Sequence, residues 1–306
     1  MLSNIFTKLF KPKSGEFVRA CSANDIAKVK ALLNRGADIN EKDNHGSTAL
    51  MSACYFGRNE LAQVLIEKGA AVNEKNLFCN TALIWASCKG YVDTARLLIE
   101  KGAKIDEKNC SGNTALILAS VNEYTDTALM LIEKGVNINE KTNDGDTALS
   151  LVSRIGHIGM AQILIDAGAR LNEEDNNGDT ALIRASISGH ADIAQMLIDK
   201  GAALDKQSKS GNTALIWAGY KGHTEIVQIL IESGAVLDKK DNDGKTALDN
   251  ARENGHQDIV TILKQAVKKQ AENADHERQR VLADISDTRL RRPLAVKLPP
   301  KLGGRS

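Results

Sequence analysis

Short apolar clusters and polar turns alternate along this chain at a fixed pitch. The tripeptide Thr-Ala-Leu begins at Thr48, Thr81, Thr114, Thr147, Thr180, Thr213 and Thr246, each 33 residues after the one before. Five residues after each Thr stands a small apolar residue: Ala53, Ala86, Ala119, Val152, Ala185, Ala218 or Ala251. In six units a glycine follows nine residues after the Thr, from Gly57 and Gly90 to Gly255. A second glycine stands at position twenty-one, from Gly69 to Gly234. Between the two glycines run clusters such as Val64-Leu65-Ile66 and Leu97-Leu98-Ile99. Self-similarity at this period predicts a repeat array of short paired helices.

One unit can be built from its residues. Thr48 is a good N-cap, because its hydroxyl can accept from a free amide of the first helical turn. Leu50 and Ala53 then share one helix face. Gly57 permits a turn, and Leu61, Val64 and Leu65 form the apolar stripe of a second helix. Gly69 suits the positive φ often found just past a helix end. Asp43-Asn44-His45-Gly46 is rich in turn formers and predicts a tight tip before the next Thr. A single unit cannot bury its apolar face; stacking neighbours can.

These motifs resemble the ankyrin repeat, whose first helix opens T-P-L-H-x-A. Here Ala replaces the Pro throughout. The His is replaced by Met51, Ile84, Ile117, Ser150, Ile183, Ile216 or Asp249. Gly222-His223 through Ile229-Leu230-Ile231 to Gly234-Ala235 is similar to the family's second helix and closing glycine. The resemblance implies an all-α ankyrin-repeat solenoid of helix-turn-helix units joined by β-turn tips, about eight repeats including caps. The first of these units is degenerate, with Gly15-Glu16-Phe17 in place of Thr-Ala-Leu. The domain reading is an amphipathic N-terminal segment over 1–14, repeats over 15–264, a helical extension over 265–285 and a basic disordered tail over 286–306. The segment 1–14 places Leu2, Ile5, Phe6 and Leu9 with Lys8 and Lys11, which suits a cap on the first repeat or weak contact with an anionic membrane surface.

Composition narrows the function. Aromatic residues make up only 4% of the 306, which fits small-residue helix packing better than an enzyme core. The net charge of +1 is unevenly placed. Residues 265–306 hold ten basic and five acidic residues, while 14–264 hold 27 basic and 34 acidic. An acidic body argues against nucleic acid as partner, because phosphate contacts need a basic surface. No apolar run reaches the roughly 20 residues needed to span a bilayer. Five cysteines, with no CxxC pair, predict free thiols in a reducing cytoplasm rather than a disulfide framework or zinc site. Cys79 takes the place of a turn glycine and Cys110 sits on the next tip; with nothing basic beside them, both read as ordinary thiols.

Candidate chemistry is sparse. His157, His190, His223 and His256 follow the turn glycine in register and read as turn-stabilising side chains. Asp144, Asp146, Asp179 and Asp243 read as solvated turn formers, since their spacing does not match a calcium loop. No catalytic residue, metal site or cofactor is predicted. The ankyrin resemblance directs attention to the tips and to the concave face of the first helices. There the units differ most, and Tyr55, Phe56, Leu77, Phe78 and Trp85 put five large apolar side chains on adjacent units. Such exposed clusters mark interaction sites. A second candidate joins Trp217, Tyr220 and Lys221 at i, i+3 and i+4 with Arg184, which occupies the Trp217 place one unit earlier. Leu118 and Leu151, in the same phase, predict a continuous apolar floor between the two.

The function expected is a non-catalytic adaptor or scaffold, a monomer that binds another protein through these patches. The alternative assigns the action to the basic tail, with Arg289, Arg291 and Arg292 as a docking motif. That end resembles secretion signals of bacterial effectors, and Thr-Ala-Leu repeats rich in Ile, Lys and Asn are similar to ankyrin proteins of intracellular bacteria. Such a regulatory or effector protein would work in a host cytoplasm.

Overall fold

The computed structural model describes residues 15–290. The expected amphipathic segment 1–14, and Arg291 and Arg292 of the tail motif, lie outside the described residues, as does the Arg289 side chain. Sixteen helices run through the described part, with no strand among them. They alternate as first and second helices of eight units. The first helices are Glu16–Ser22, Ala49–Tyr55, Ala82–Cys88, Ala115–Val121, Ala148–Ile155, Ala181–Ser188, Ala214–Lys221 and Ala247–Glu253. The second helices are Ile26–Asn34, Asn59–Glu67, Val92–Glu100, Thr125–Glu133, Ile158–Asp166, Ala191–Asp199, Thr224–Glu232 and the long Gln257–Leu290. This last helix runs past residue 285, where the sequence reading ended it.

Each first helix packs on its own second helix and on the next first helix, and the second helices form a parallel layer. All seven Thr residues cap as expected. Thr48 Oγ1 accepts from the Met51 amide at 3.3 Å, and Thr147 Oγ1 from the Ser150 amide at 3.1 Å. The interface is a file of leucines and alanines, with Leu83, Leu116, Leu149, Leu182 and Leu215 buried in succession beside Ala86, Ala119, Ala185 and Ala218. Alanine at those places lets neighbouring first helices approach closely.

Three ladders tie one unit to the next. At the tips, backbone amides donate to the preceding tip: Leu77 to His45 O, Cys110 to Phe78 O, Asn143 to Ser111 O and Asn176 to Asp144 O. Lys42, Lys75, Lys108 and Lys141 each donate to a carbonyl 33 residues on. They also pair with Glu74, Glu107, Glu140 and Glu173. The third ladder is the histidine file. His157, His190, His223 and His256 bond the carbonyls of Val121, Arg154, Ile187 and Tyr220 through Nε2 at 3.1–3.2 Å. The imidazoles of His190, His223 and His256 cover the turn glycine of the preceding unit, while His157 meets Glu123, which stands in that glycine's place, with Nδ1 3.4 Å from Oε2. At Gly156, with φ of 97°, a Cβ would lie 2.5 Å from His190 Cε1. The histidines are therefore structural.

Candidate interaction surface

The first patch gathers most of its expected members. Tyr55 and Phe56 end one first helix, and Trp85 rises from the next. The Tyr55 ring meets Phe56 and Trp85 edge to face, each at 5.0 Å between centroids. These three and Phe78 line one open cavity of about 640 Å³. Its walls add Met51, Asp43, His45, Asn76 and Cys110. Phe56 is 55% exposed and Phe78 58%. Tyr55 and Trp85 are partly buried, Trp85 against the core. Leu77 is on the tip and 70% exposed, but does not line the cavity. Two cations brace the rings from outside. The Arg58 guanidinium lies 4.8 Å from the Phe56 centroid and donates to the Cys21 and Ser22 carbonyls. Lys89 Nζ lies 4.6 Å from the Tyr55 centroid.

The second patch is smaller. Trp217 and Tyr220 meet edge to face at 5.7 Å, and Lys221 Nζ stands 5.4 Å from the Tyr220 centroid. Tyr220 and Lys221 are exposed and Trp217 partly buried. The Trp217 Nε1 donor is buried with no acceptor. Trp217 shares a shallow hollow of about 380 Å³ with Arg184, Asp179, Asn177, Ile187, Lys209 and Ser210.

Arg184 is not a free interface cation. Its Nε donates to Asp175 Oδ2 at 2.8 Å, its Nη2 bonds the same oxygen, and Asp179 Oδ2 lies 3.6 Å away. Two carboxylates read as solvated turn formers are in fact buried, Asp146 at 4% exposure and Asp179 at 6%. The tip ladder folds them under the neighbouring tip, where Asp146 accepts from the Ser150 hydroxyl. Burial pushes the Asp179 carboxyl up to about 6, against the pull of Arg184 and with help from Asp175 and Asp146. Asp175 escaped the sequence reading. The available signal was the one Arg among the seven Thr-Ala-Leu units at a place that otherwise holds Ser52, Trp85, Leu118, Leu151, Trp217 or Asn250, since a buried guanidinium needs a carboxylate partner. The expected continuous floor is also interrupted. Leu151 is packed away at 8% exposure, while Leu118 remains partly open.

The cysteines depart from expectation at one place. Cys79 and Cys110 are disulfide-bonded, with Cα atoms 5.2 Å apart. Stacking brings residues 31 apart into contact, which a count of cysteines along the chain does not show. Cys21, Cys54 and Cys88 are free. Among the described residues no cluster of three or more His, Cys, Asp or Glu is arranged to hold a metal. No helix among them is long and apolar enough to cross a membrane.

Helix pairs stacked at one pitch, tied tip to tip and opening an aromatic hollow at two neighbouring tips, define a helical-repeat scaffold. The sequence profile described as ankyrin repeats (3 copies) matches residues 17–76, 73–142, 136–208 and 200–275. The chain belongs to the ankyrin-repeat family. Ankyrin repeats are generally protein–protein interaction modules and are typically non-catalytic. No curated protein matches the chain at a significant level.

Proposed function

We propose that this chain is a non-catalytic adaptor or scaffold of the cytoplasm, and that its partner protein docks in the hollow of Tyr55, Phe56, Phe78 and Trp85. The observation that carries this reading is the exposure of Phe56 and Phe78 in one cavity. Nothing in the repeat requires aromatic rings there, since the same places elsewhere hold Lys89, Asn122, Ser111 and Asp144. An aromatic floor with a polar rim of Asp43 and His45 is the usual anatomy of a binding hot spot. The Trp217, Tyr220 and Lys221 patch stands four units further along, in the same phase as Trp85, and supplies a second anchor for an extended partner.

The test compares immobilised wild type with a Phe56→Ala, Phe78→Ala, Trp85→Ala variant, both shown by circular dichroism to be folded. A partner recovered from lysate on the wild type should bind the variant at least about thirtyfold more weakly, equivalent to losing one hot-spot residue. Equal affinity for both would remove the hollow from the account.

A further inference from the structure

Six tips carry glycine at one position: Gly46, Gly112, Gly145, Gly178, Gly211 and Gly244, all at positive φ. Cys79 takes that place in the remaining tip and keeps a φ of 59°, a region that side-chain-bearing residues disfavour. The position faces the next tip. A Cβ on Gly112 would lie 2.4 Å from the Asn143 amide nitrogen, and one on Gly178 would lie 2.8 Å from that of Lys209. For Gly46, Gly112, Gly145, Gly178 and Gly211 the facing residue is 31 positions on, and Gly244, on the last tip, faces none. For Cys79 it is Cys110.

Cys110 is itself a departure, since its place elsewhere holds Asn44, Leu77, Asn143, Asn176, Lys209 and Asn242. Two separate departures from the repeat thus meet in one contact, with a Cα spacing of 5.2 Å that suits a disulfide. Cys110 is exposed and lies in the wall of the aromatic hollow. Its amide donates to Phe78 O, so the bond holds the loop bearing Phe78. The other thiols are withdrawn from this chemistry. Burial pushes Cys21 up to about 12, drives Cys54 higher still and raises Cys88, and a protonated thiol does not attack.

We infer that Cys79 and Cys110 form a reversible dithiol–disulfide staple, closed by exchange with a small-molecule disulfide, whose state sets the shape of the aromatic hollow. The exposed Cys110 thiolate attacks one sulfur of the small disulfide and releases one small thiolate. Cys79 then attacks the Cys110 sulfur of the mixed disulfide and releases the second. Two protein thiols are oxidised, one small disulfide is reduced to two thiols, and the two protons pass to the departing thiolates. Closed, the staple ties the 77–79 loop to the following tip and fixes Phe78. Open, Cys79 sits at a strained φ with no covalent hold, and the loop relaxes. The inference concerns the hollow itself and stands whether or not a partner docks there.

The test equilibrates the full chain in glutathione buffers of stepped ratio of reduced to oxidised form. Samples are quenched in acid and alkylated, and their cysteine peptides are read by mass spectrometry. Cys79 and Cys110 should pass together from alkylated to cross-linked in one two-electron step, while Cys21 and Cys54 stay reduced. In a Trp217→Phe background, Trp85 emission should shift with the same midpoint. Adding Cys79→Gly, which restores the tip of the other units, should abolish the shift. Independent glutathionylation of the two thiols would overturn the staple. Cross-linking with unchanged Trp85 emission would overturn its hold on the hollow.

Discussion

Replacing Arg184 with methionine should lower the stability of the stack by about 3–5 kcal/mol, the usual cost of stripping one partner from a buried ion pair. The Asp175 side chain is 0% exposed and takes both guanidinium bonds on Oδ2. Its other oxygen accepts the amides of Asn177 at 2.7 Å and Asp179 at 3.0 Å. The carboxylate is therefore fixed by the tip and cannot swing out to water when the cation goes. Asp179 and Asp146 lie in the same pocket of charge. Three carboxylates would then share a dry site without a cation.

The same cluster sets a pH dependence. An acid whose pKa is raised by folding holds its proton more tightly in the native state, so stability falls as pH climbs past the unfolded value. For Asp179 that window runs from about pH 4 to about pH 6. The loss across it is roughly 2–3 kcal/mol. Above the window the cost is constant. Asp179→Asn removes the titrating group, so it should flatten this slope and raise stability at pH 7. Urea melts at pH 4.5 and 7.5 measure both effects. An Arg184→Met protein that melts with the wild type, or an Asp179→Asn protein that keeps the slope, would show that the cluster carries no such energy.

Leu116→Ala should cost about 2–5 kcal/mol and split the unfolding transition in two. Leu116 is 1% exposed. Its helix, Ala115–Val121, contacts Ala82–Cys88 on one side and Ala148–Ile155 on the other. Removing three heavy atoms leaves a cavity whose cost depends on how far the surroundings relax. In a stack, stability is a sum of unit and nearest-neighbour terms. A lesion at a middle unit therefore weakens the link between two halves. The tryptophans report them separately, Trp85 lying before Leu116 and Trp217 after it. In wild type their emission should change together with urea; in Leu116→Ala the two curves should separate. Coincident curves in the variant would mean that coupling does not pass through this leucine file.

What the sequence made legible is what repeats. The Thr-Ala-Leu period places seven of the eight first helices, because the Thr cap and the buried leucine are local necessities of those units. The histidine file was readable for the same reason, since one residue in register from His157 to His256 has one geometric job. What stayed hidden depends on the register between tips. A chain scanned for local spacing does not show that residue 110 touches residue 79, or that Asp146 and Asp179 lie beneath their neighbours. The aromatic patch fell between these cases. Departure from the consensus singled out Phe56, Phe78 and Trp85, but only side-chain direction separates Phe78, inside the hollow, from Leu77, outside it.

The central claim is that a partner protein docks where Phe78 stands. A photoreactive phenylalanine analogue placed at Phe78, and in a second protein at the exposed Gln63 of the helix Asn59–Glu67, tests it directly in intact cells. The account predicts a specific adduct of one protein from position 78 and none from position 63. Adducts from position 63 alone, or the same adducts from both, would contradict it.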